Sequence, residues 1–214
     1  MSQLHQFPRP SPELQVLTFL NSRMRLTSKD RSRLANLTKG FEGELKFFYL
    51  LKESQTSESM NLFDLRLEVD QNECQIDSLL IFQDVVCLIE VKNFDGDFLI
   101  EDDKWVSVRS NSSIDNPLRQ LDRSERLLQK FFRQNGMSPR VESFLVFVHP
   151  EFVLYRAPVF EQVIFPGQLS RFVGRLNGMS DRLSRGHQQV KEMLVRQHVR
   201  DSTHAKFPDY EYRH

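Results

Sequence analysis

The hydrophobic positions of this chain change period several times, and each change marks an element. Ser28, with Asp30 in the turn that follows, reads as a helix N-cap. Leu34, Leu37, Phe41, Leu45, Phe48 and Leu51 then recur at helical spacing. Gly40 and Gly43 fall inside this helix; glycine weakens a helix, so two on neighbouring turns point to close backbone approach or a local break. Residues 62–69 (LFDLRLEV) alternate as a strand does. Residues 74–82 and 85–91 are rich in Val, Ile, Leu and Phe, are broken only by Gln83-Asp84, and read as a β-hairpin. A second, more exposed hairpin is expected where 98–100 and 105–108 flank Glu101-Asp102-Asp103-Lys104. Asn116-Pro117 supplies an N-cap side chain and a proline at the first helical position. The helix runs through Leu118, Leu121, Leu127, Leu128, Phe131 and Phe132 and stops at Asn135-Gly136. Residues 141–148 (VESFLVFV) predict a buried strand, 160–165 another, and 169–199 two amphipathic helices broken near Gly178. Residues 1–27 carry Pro8, Pro10 and Pro12 before a short apolar stretch, and read as an extended arm with room for one helical turn. This order predicts an α/β sandwich, a central mixed β-sheet flanked by helices. Its parts are an arm (1–27), a core (28–165) and a helical extension packed on the core (166–214).

Charges interrupt the hairpin where nothing charged is expected. If Gln83-Asp84 forms the turn, Phe82 faces Val85, and counting outward brings Asp77 opposite Glu90. Side chains alternate faces along a strand, so Glu90 and Lys92 point the same way. Like charges directly across a strand pair destabilise it, and a cation held between them reverses that sign. Glu44 shares the helical stripe of Leu37, Phe41 and Phe48, a face that should be buried. A buried ion pair or a partly exposed edge would explain one such charge. The set calls for more, since each member sits where its local pattern wants an apolar residue.

Hydrolysis of a phosphodiester needs an attacking hydroxide, neutralised charge and a stabilised leaving oxygen. Mg²⁺, with Mn²⁺ as the alternative, serves the last two and prefers carboxylate and carbonyl oxygens. Asp77 and Glu90 would be its ligands, with the Val91 carbonyl as a third. Lys92 would position the attacking water, and could take its proton if burial lowers its pKa. A plain salt bridge from Lys92 to Glu90 or Asp77 is the competing account.

Composition adds bounds. At 214 residues, 39% hydrophobic with 18 Phe, the chain can fill one core despite 27% charged residues. With 29 basic and 29 acidic residues, any nucleic-acid surface must be a local patch. No run approaches a membrane span and the N-terminal segment lacks the apolar core of a signal peptide, which predicts a cytoplasmic protein with no membrane role. Cys74 and Cys87 lie inside apolar strands; a bridge is left open, but two buried free thiols in a reducing compartment is the simpler account. The spacing of His and Cys offers no structural zinc pattern.

Four ordered motifs carry a resemblance: Gly40-Phe41-Glu42-Gly43-Glu44, Gln75-Ile76-Asp77, Ile89-Glu90-Val91-Lys92-Asn93 and Asn116-Pro117-Leu118-Arg119-Gln120. Together, over about 38–150, they resemble the NERD (nuclease-related) domain, grouped with the PD-(D/E)XK restriction-endonuclease-like nucleases. That resemblance implies a restriction-endonuclease-like sandwich, metal ligands at Asp77 and Glu90, a catalytic lysine at Lys92, a supporting carboxylate at Glu44 and a polar contribution from Gln120. By position alone Gln120 would be a solvent-facing residue of a helix's first turn. The arm and the FDLRL segment resemble stand-alone NERD proteins of Gram-positive bacteria.

Two basic clusters are candidates for phosphate contact. One is Arg119, Arg123, Arg126, Lys130 and Arg133, beginning beside Gln120 and tempered by Asp122 and Glu125. The other is Arg171, Arg175, Arg182, Arg185, Lys191, Arg196 and Arg200; a solvated helix face explains it equally well. Trp105 and Tyr155 could stack on bases, although core packing or hairpin cover suits each better. The expected partner is nucleic acid, DNA ahead of RNA; related folds also dimerise to cut both strands, though nothing locates an interface. A catalytically silent nucleic-acid or protein-binding module is the main alternative. An unrelated phosphoesterase of small nucleotides lacks the expected Gly-rich phosphate loop.

Overall fold

Two apolar layers, one on each face of a mixed sheet, decide how the chain packs. The structure, a computed structural model, describes residues 7–199. Helices α1 (Pro12–Asn21) and α2 (Ser28–Ser54) precede strands β1 (Met60–Val69), β2 (Asn72–Ile81), β3 (Val86–Lys92), β4 (Asp97–Glu101), β5 (Lys104–Ser107) and β6 (Ser113–Asp115). Helix α3 (Pro117–Gln134), strands β7 (Val141–Phe147), β8 (Val153–Tyr155) and β9 (Val163–Ile164), and helices α4 (Leu169–Asn177) and α5 (Arg185–Arg196) follow. The main sheet runs β1-β2-β3-β7-β9. β1, β2 and β3 pair antiparallel, while β7 lies parallel to both β3 and β9.

On one face, Phe47 and Leu51 of α2 and Phe172, Val173 and Leu176 of α4 pack on Phe63, Leu80, Cys87, Ile89 and Phe144. On the other, Leu121, Leu128, Phe131 and Phe132 of α3 and Leu194 of α5 pack on Leu62, Ile76, Leu88 and Leu145. The expected sandwich of helices about a mixed sheet is therefore the observed one. Cys74 and Cys87 are free thiols and belong to opposite faces.

Several details differ from expectation. The supposed arm contains a ten-residue helix, α1, started by Ser11, whose hydroxyl accepts the Leu14 N–H at 3.2 Å, and by Pro12 at its first position. It is the device that opens α3, obscured here by neighbouring prolines. Thr27, not Ser28, caps α2: its Oγ1 accepts the Asp30 N–H at 3.1 Å. The α2 face turned to the core is Gly43, Phe47 and Leu51; Leu37 and Phe41 are half-buried and line a cavity beneath α1. A second sheet, β6-β5-β4-β8, enlarges the expected β4–β5 hairpin. Trp105 of β5 is fully buried, stacked on Phe147 at 5.6 Å, whereas Tyr155 is half exposed, on β8 beside Leu99 of the hairpin strand β4.

After α4, which ends at Gly178, the chain wraps the β2–β3 turn. The Gln83 N–H donates to the Ser180 carbonyl at 3.1 Å, and His187 Nε2 lies 2.9 Å from the Gln83 carbonyl. Past α5, the Val199 N–H donates to the Arg66 carbonyl at 2.9 Å and covers the outer edge of β1. Among the described residues no helix is long and apolar enough to cross a membrane.

Candidate active site

The turn at Gln83-Asp84 sets the register of β2 on β3. Its Phe82 N–H donates to the Val85 carbonyl at 2.9 Å, and the pairing continues through Ile81–Val86 to Ser78–Ile89. One further step brings Asp77 opposite Glu90, as the sequence predicts, and here the ladder ends. Asp77 Oδ2 instead accepts the Val91 N–H at 2.8 Å, so a side chain replaces the backbone partner as the strands part. The Lys92 carbonyl accepts from Val148 on the β7 side. Peptide groups alternate direction along a strand, so the Val91 carbonyl shares the opened edge with Asp77.

The strands part because β1 and β2 change phase together. Leu62 and Leu65, three residues apart, lie in the same layer, as do Ile76 and Leu79. The residues skipped include Asp64 and Asp77, which the β1–β2 register places opposite each other. Asp64 takes a left-handed backbone, φ 48°, which aspartate tolerates better than most residues. One lateral row across three strands thus carries Asp64, Asp77 and Glu90. Asp64 is not among the charges that the strand pattern alone singles out. The signal was present: the alternation of 62–69 slips at Asp64 and that of 74–82 slips at Asp77.

Glu90 is 3% exposed, on the α3 face of β3. Its Oε1 accepts from Lys92 Nζ at 2.7 Å and from Gln120 Nε2 at 2.6 Å, and Lys92 Nζ also donates to Gln120 Oε1 at 3.0 Å. Gln120 reaches the site because Asn116 caps α3 through the Leu118 N–H at 3.0 Å and aims the helix's first turn at β3. Gln120 is exposed, as its first-turn position predicts, yet its amide reaches both Glu90 and Lys92. Both accounts of Lys92 also meet here, a salt bridge to Glu90 and a place beside the acid pair.

Glu44 is half-buried on α2, beside the core-facing stripe rather than on it. Burial pushes its carboxyl up to about 8, with Asp64 and Glu90 adding to the rise and Lys92 and Arg66 opposing it. Asp77 keeps some accessible surface, yet protein atoms crowd its carboxyl. That desolvation, then Glu90 and Glu44, hold it well above the usual carboxylate range against Lys92 and the Val91 N–H. Burial also raises Asp64, restrained by Arg66 and by Gln75, whose Nε2 donates at 3.3 Å.

This excess of negative charge suits a hard cation. Among the described residues no group of three or more His, Cys, Asp or Glu converges as a ready metal cage. Mg²⁺ seldom uses one, keeping waters and taking one or two carboxylates. Asp77, Glu90 and the Val91 carbonyl fit that donor set.

Without a cation the raised carboxyls oppose folding at high pH. A group with pKa 4.5 in the unfolded chain and about 8 in the folded one takes up a proton on folding between those values. Stability therefore falls as pH rises through that window. Urea titrations in EDTA should show this slope, and Glu44→Gln should recover about 1–2 kcal/mol at its alkaline end, allowing for solvent screening. Parallel native and variant curves would contradict it.

The two basic clusters part company. Arg119, Arg123 and Lys130 lie on one exposed stripe of α3 that begins at the site, although Arg119 pairs with Asp103, Lys130 with Asp70, and Arg123 approaches Asn72 Oδ1 at 3.5 Å. Arg182 and Arg185 sit by the β2–β3 turn, the far end of the hairpin from Asp77, about 17 Å along the strand. Arg200 lies outside the described residues. Gly43 and Asn93, each within one of the ordered motifs, make the close backbone approach that a glycine in this helix predicts. A Cβ on Gly43 would come within 2.6 Å of the Asn93 Cβ, and Asn93 Nδ2 donates to the Lys39 carbonyl at 2.8 Å, clamping α2 against the end of β3.

An acid pair and a lysine thus meet where a mixed sheet parts, with a helix on each face. Residues 39–148 match the nuclease-related domain (NERD) model, just over half of the chain and all of Glu44, Asp77, Glu90, Lys92 and Gln120, so the chain belongs to the NERD family. Among solved structures it is similar to the small subunit of a heterodimeric restriction endonuclease, at 11% identity over 86% of each chain with a TM-score of 0.25. No curated protein matches it.

Proposed function

We propose that the protein is a metal-dependent nuclease of the PD-(D/E)XK type, acting in the cytoplasm on phosphodiester bonds of nucleic acid, DNA ahead of RNA. The observation that supports this best is the meeting of Asp77 and Glu90 at the parted strand pair, with Lys92 held beside them. Asp77, Glu90 and the Val91 carbonyl would hold Mg²⁺ or Mn²⁺, which when bound neutralises charge on the phosphoryl oxygens and eases ionisation of a water. Lys92 has three N–H donors. Glu90 and Gln120 engage two, so the third is left for an attacking water or a phosphate oxygen. Gln120 ties the Lys92 ammonium to Glu90, and Glu44 deepens the negative field that draws the cation.

A second reading, a nuclease-like module that binds without cleaving, gains support from the same triangle, since Lys92 already has two protein partners. The test is cleavage by the purified chain on single- and double-stranded DNA and RNA. Cutting with Mg²⁺ or Mn²⁺ that EDTA removes is expected. Inactivity on every substrate with both metals, alongside salt-sensitive binding that survives Asp77→Asn, would favour the silent module.

A further inference from the structure

The ends of β3 and β7 open on a second feature, on the opposite face of the sheet from Gln120. Between α2 and these strand ends lies a cleft of about 620 Å³, lined in part by Arg31, Lys39, Lys46, Asn93, Asp95 and His149. Its cations exceed its acids, since Arg31, Lys39 and Lys46 face Glu42 and Asp95. Lys39 pairs with Asp95, while Lys46 reaches the Asn93 side-chain oxygen at 3.5 Å. His149 Nδ1 accepts the Glu151 N–H at 3.3 Å, which places the imidazole proton on Nε2 and makes that atom a donor. Burial and then Lys46 and Lys39 hold His149 below the usual imidazole range, with Glu151 opposing. Burial and Lys46 likewise lower Lys39, with Glu42 opposing. Asp95 engages Lys39, which leaves Lys46 and the His149 Nε2–H as further donors lining the cleft.

The cleft is continuous with the candidate active site through the backbone. Asn93 directly follows Lys92, and successive side chains on a strand leave by opposite faces. Lys92 therefore meets α3 while Asn93 meets α2. A polymer laid across the end of β3 would touch the Lys92 triangle on one side and the cleft on the other.

We infer that this cleft binds a backbone phosphate of the nucleic-acid strand flanking the scissile bond, with Lys39, Lys46 and His149 Nε2 as donors. The inference rests on the nuclease reading. It adds a substrate track running from the basic stripe of α3, over the end of β3, to α2.

Binding of a fluorescent single-stranded DNA oligonucleotide to the full chain in EDTA tests it, because no cleavage intervenes. The double variant Lys39→Gln/Lys46→Gln should bind about tenfold more weakly. Its slope of log affinity against log salt should fall by about 1. DNA should also raise the His149 titration midpoint followed by NMR, since an anion reverses the local field. Both lysine side chains reach the surface, and an unchanged circular-dichroism spectrum secures the comparison. If the variant binds and cleaves like the native chain, the cleft assignment falls and the nuclease reading stands. If the native chain neither binds nor cuts any nucleic acid, the nuclease reading falls and the cleft with it. If inorganic phosphate moves the His149 midpoint at the same concentration as DNA, the site takes free phosphate and the polymer track is overturned.

Discussion

Lys92→Ala should lower the rate of phosphodiester cleavage by about 10²–10³-fold, the usual range for removing a preorganised donor at the reacting centre. Its ammonium is fixed on two sides, by Glu90 at 2.7 Å and Gln120 at 3.0 Å. The same change leaves Glu90, 3% exposed, with one donor fewer, and removes the cation that restrains Glu44 and Asp77. In EDTA the variant should lose about 1–3 kcal/mol of stability, and Mg²⁺ should restore part of it by supplying the missing positive charge. Steady-state cleavage and urea unfolding with and without Mg²⁺ check both halves. Full activity in the variant would remove Lys92 from the chemistry. A loss of stability that Mg²⁺ leaves untouched would argue against a cation between Asp77 and Glu90.

Gly43→Ala and Gly40→Ala, one helical turn apart, should have opposite signs. Alanine favours a helix over glycine by about 1 kcal/mol. At Gly40 nothing lies within 4 Å of the added methyl, so the propensity gain should appear as about 0.5–1 kcal/mol of added stability. At Gly43 the methyl meets the Asn93 Cβ at 2.6 Å. That atom is fixed to the backbone beside Lys92, so α2 or the strand end must shift, at a net cost of about 1–3 kcal/mol. Cleavage should fall as well, because the shift moves Glu44 and the strand end together. Thermal unfolding of the two variants decides it; equal effects would mean that α2 is not clamped there.

Much of this could be read along the chain where local chemistry and tertiary structure agree. Asp77 and Glu90 were paired correctly because a two-residue turn leaves one register available. Asn116, Pro117 and Gly136 marked α3 because each acts through its own backbone geometry. Glu44 lies beside the core-facing stripe of α2 that its spacing predicts it to share. The long α2 buries a face defined by a glycine, Gly43, which carries no hydrophobic signal. The small sheet was harder to see. β6 and β8 are three residues each, too short for alternation to show, and β8 joins β4 only through tertiary pairing. Asp64 was overlooked because an acidic residue in an alternating strand looks like an ordinary outward position, and the slip in phase appears only when β1 and β2 are compared.

That shared slip makes chain length itself a constraint. The Asp70-Gln71 turn, with φ 48° and 61°, joins two arms of equal reach, a geometry typical of tight hairpins. One arm ends at Asp64 and the other at Asp77. A single residue inserted into either arm would misalign the two kinks and turn Leu65 and Leu67, or Ile76, out of the core, since a one-residue slip reverses every side chain beyond it. Insertions in the loop itself leave both arms intact. In a library of length variants, survivors should carry additions at 70–71 or matched additions in both arms, and one-sided changes should be lost even where every motif residue is kept.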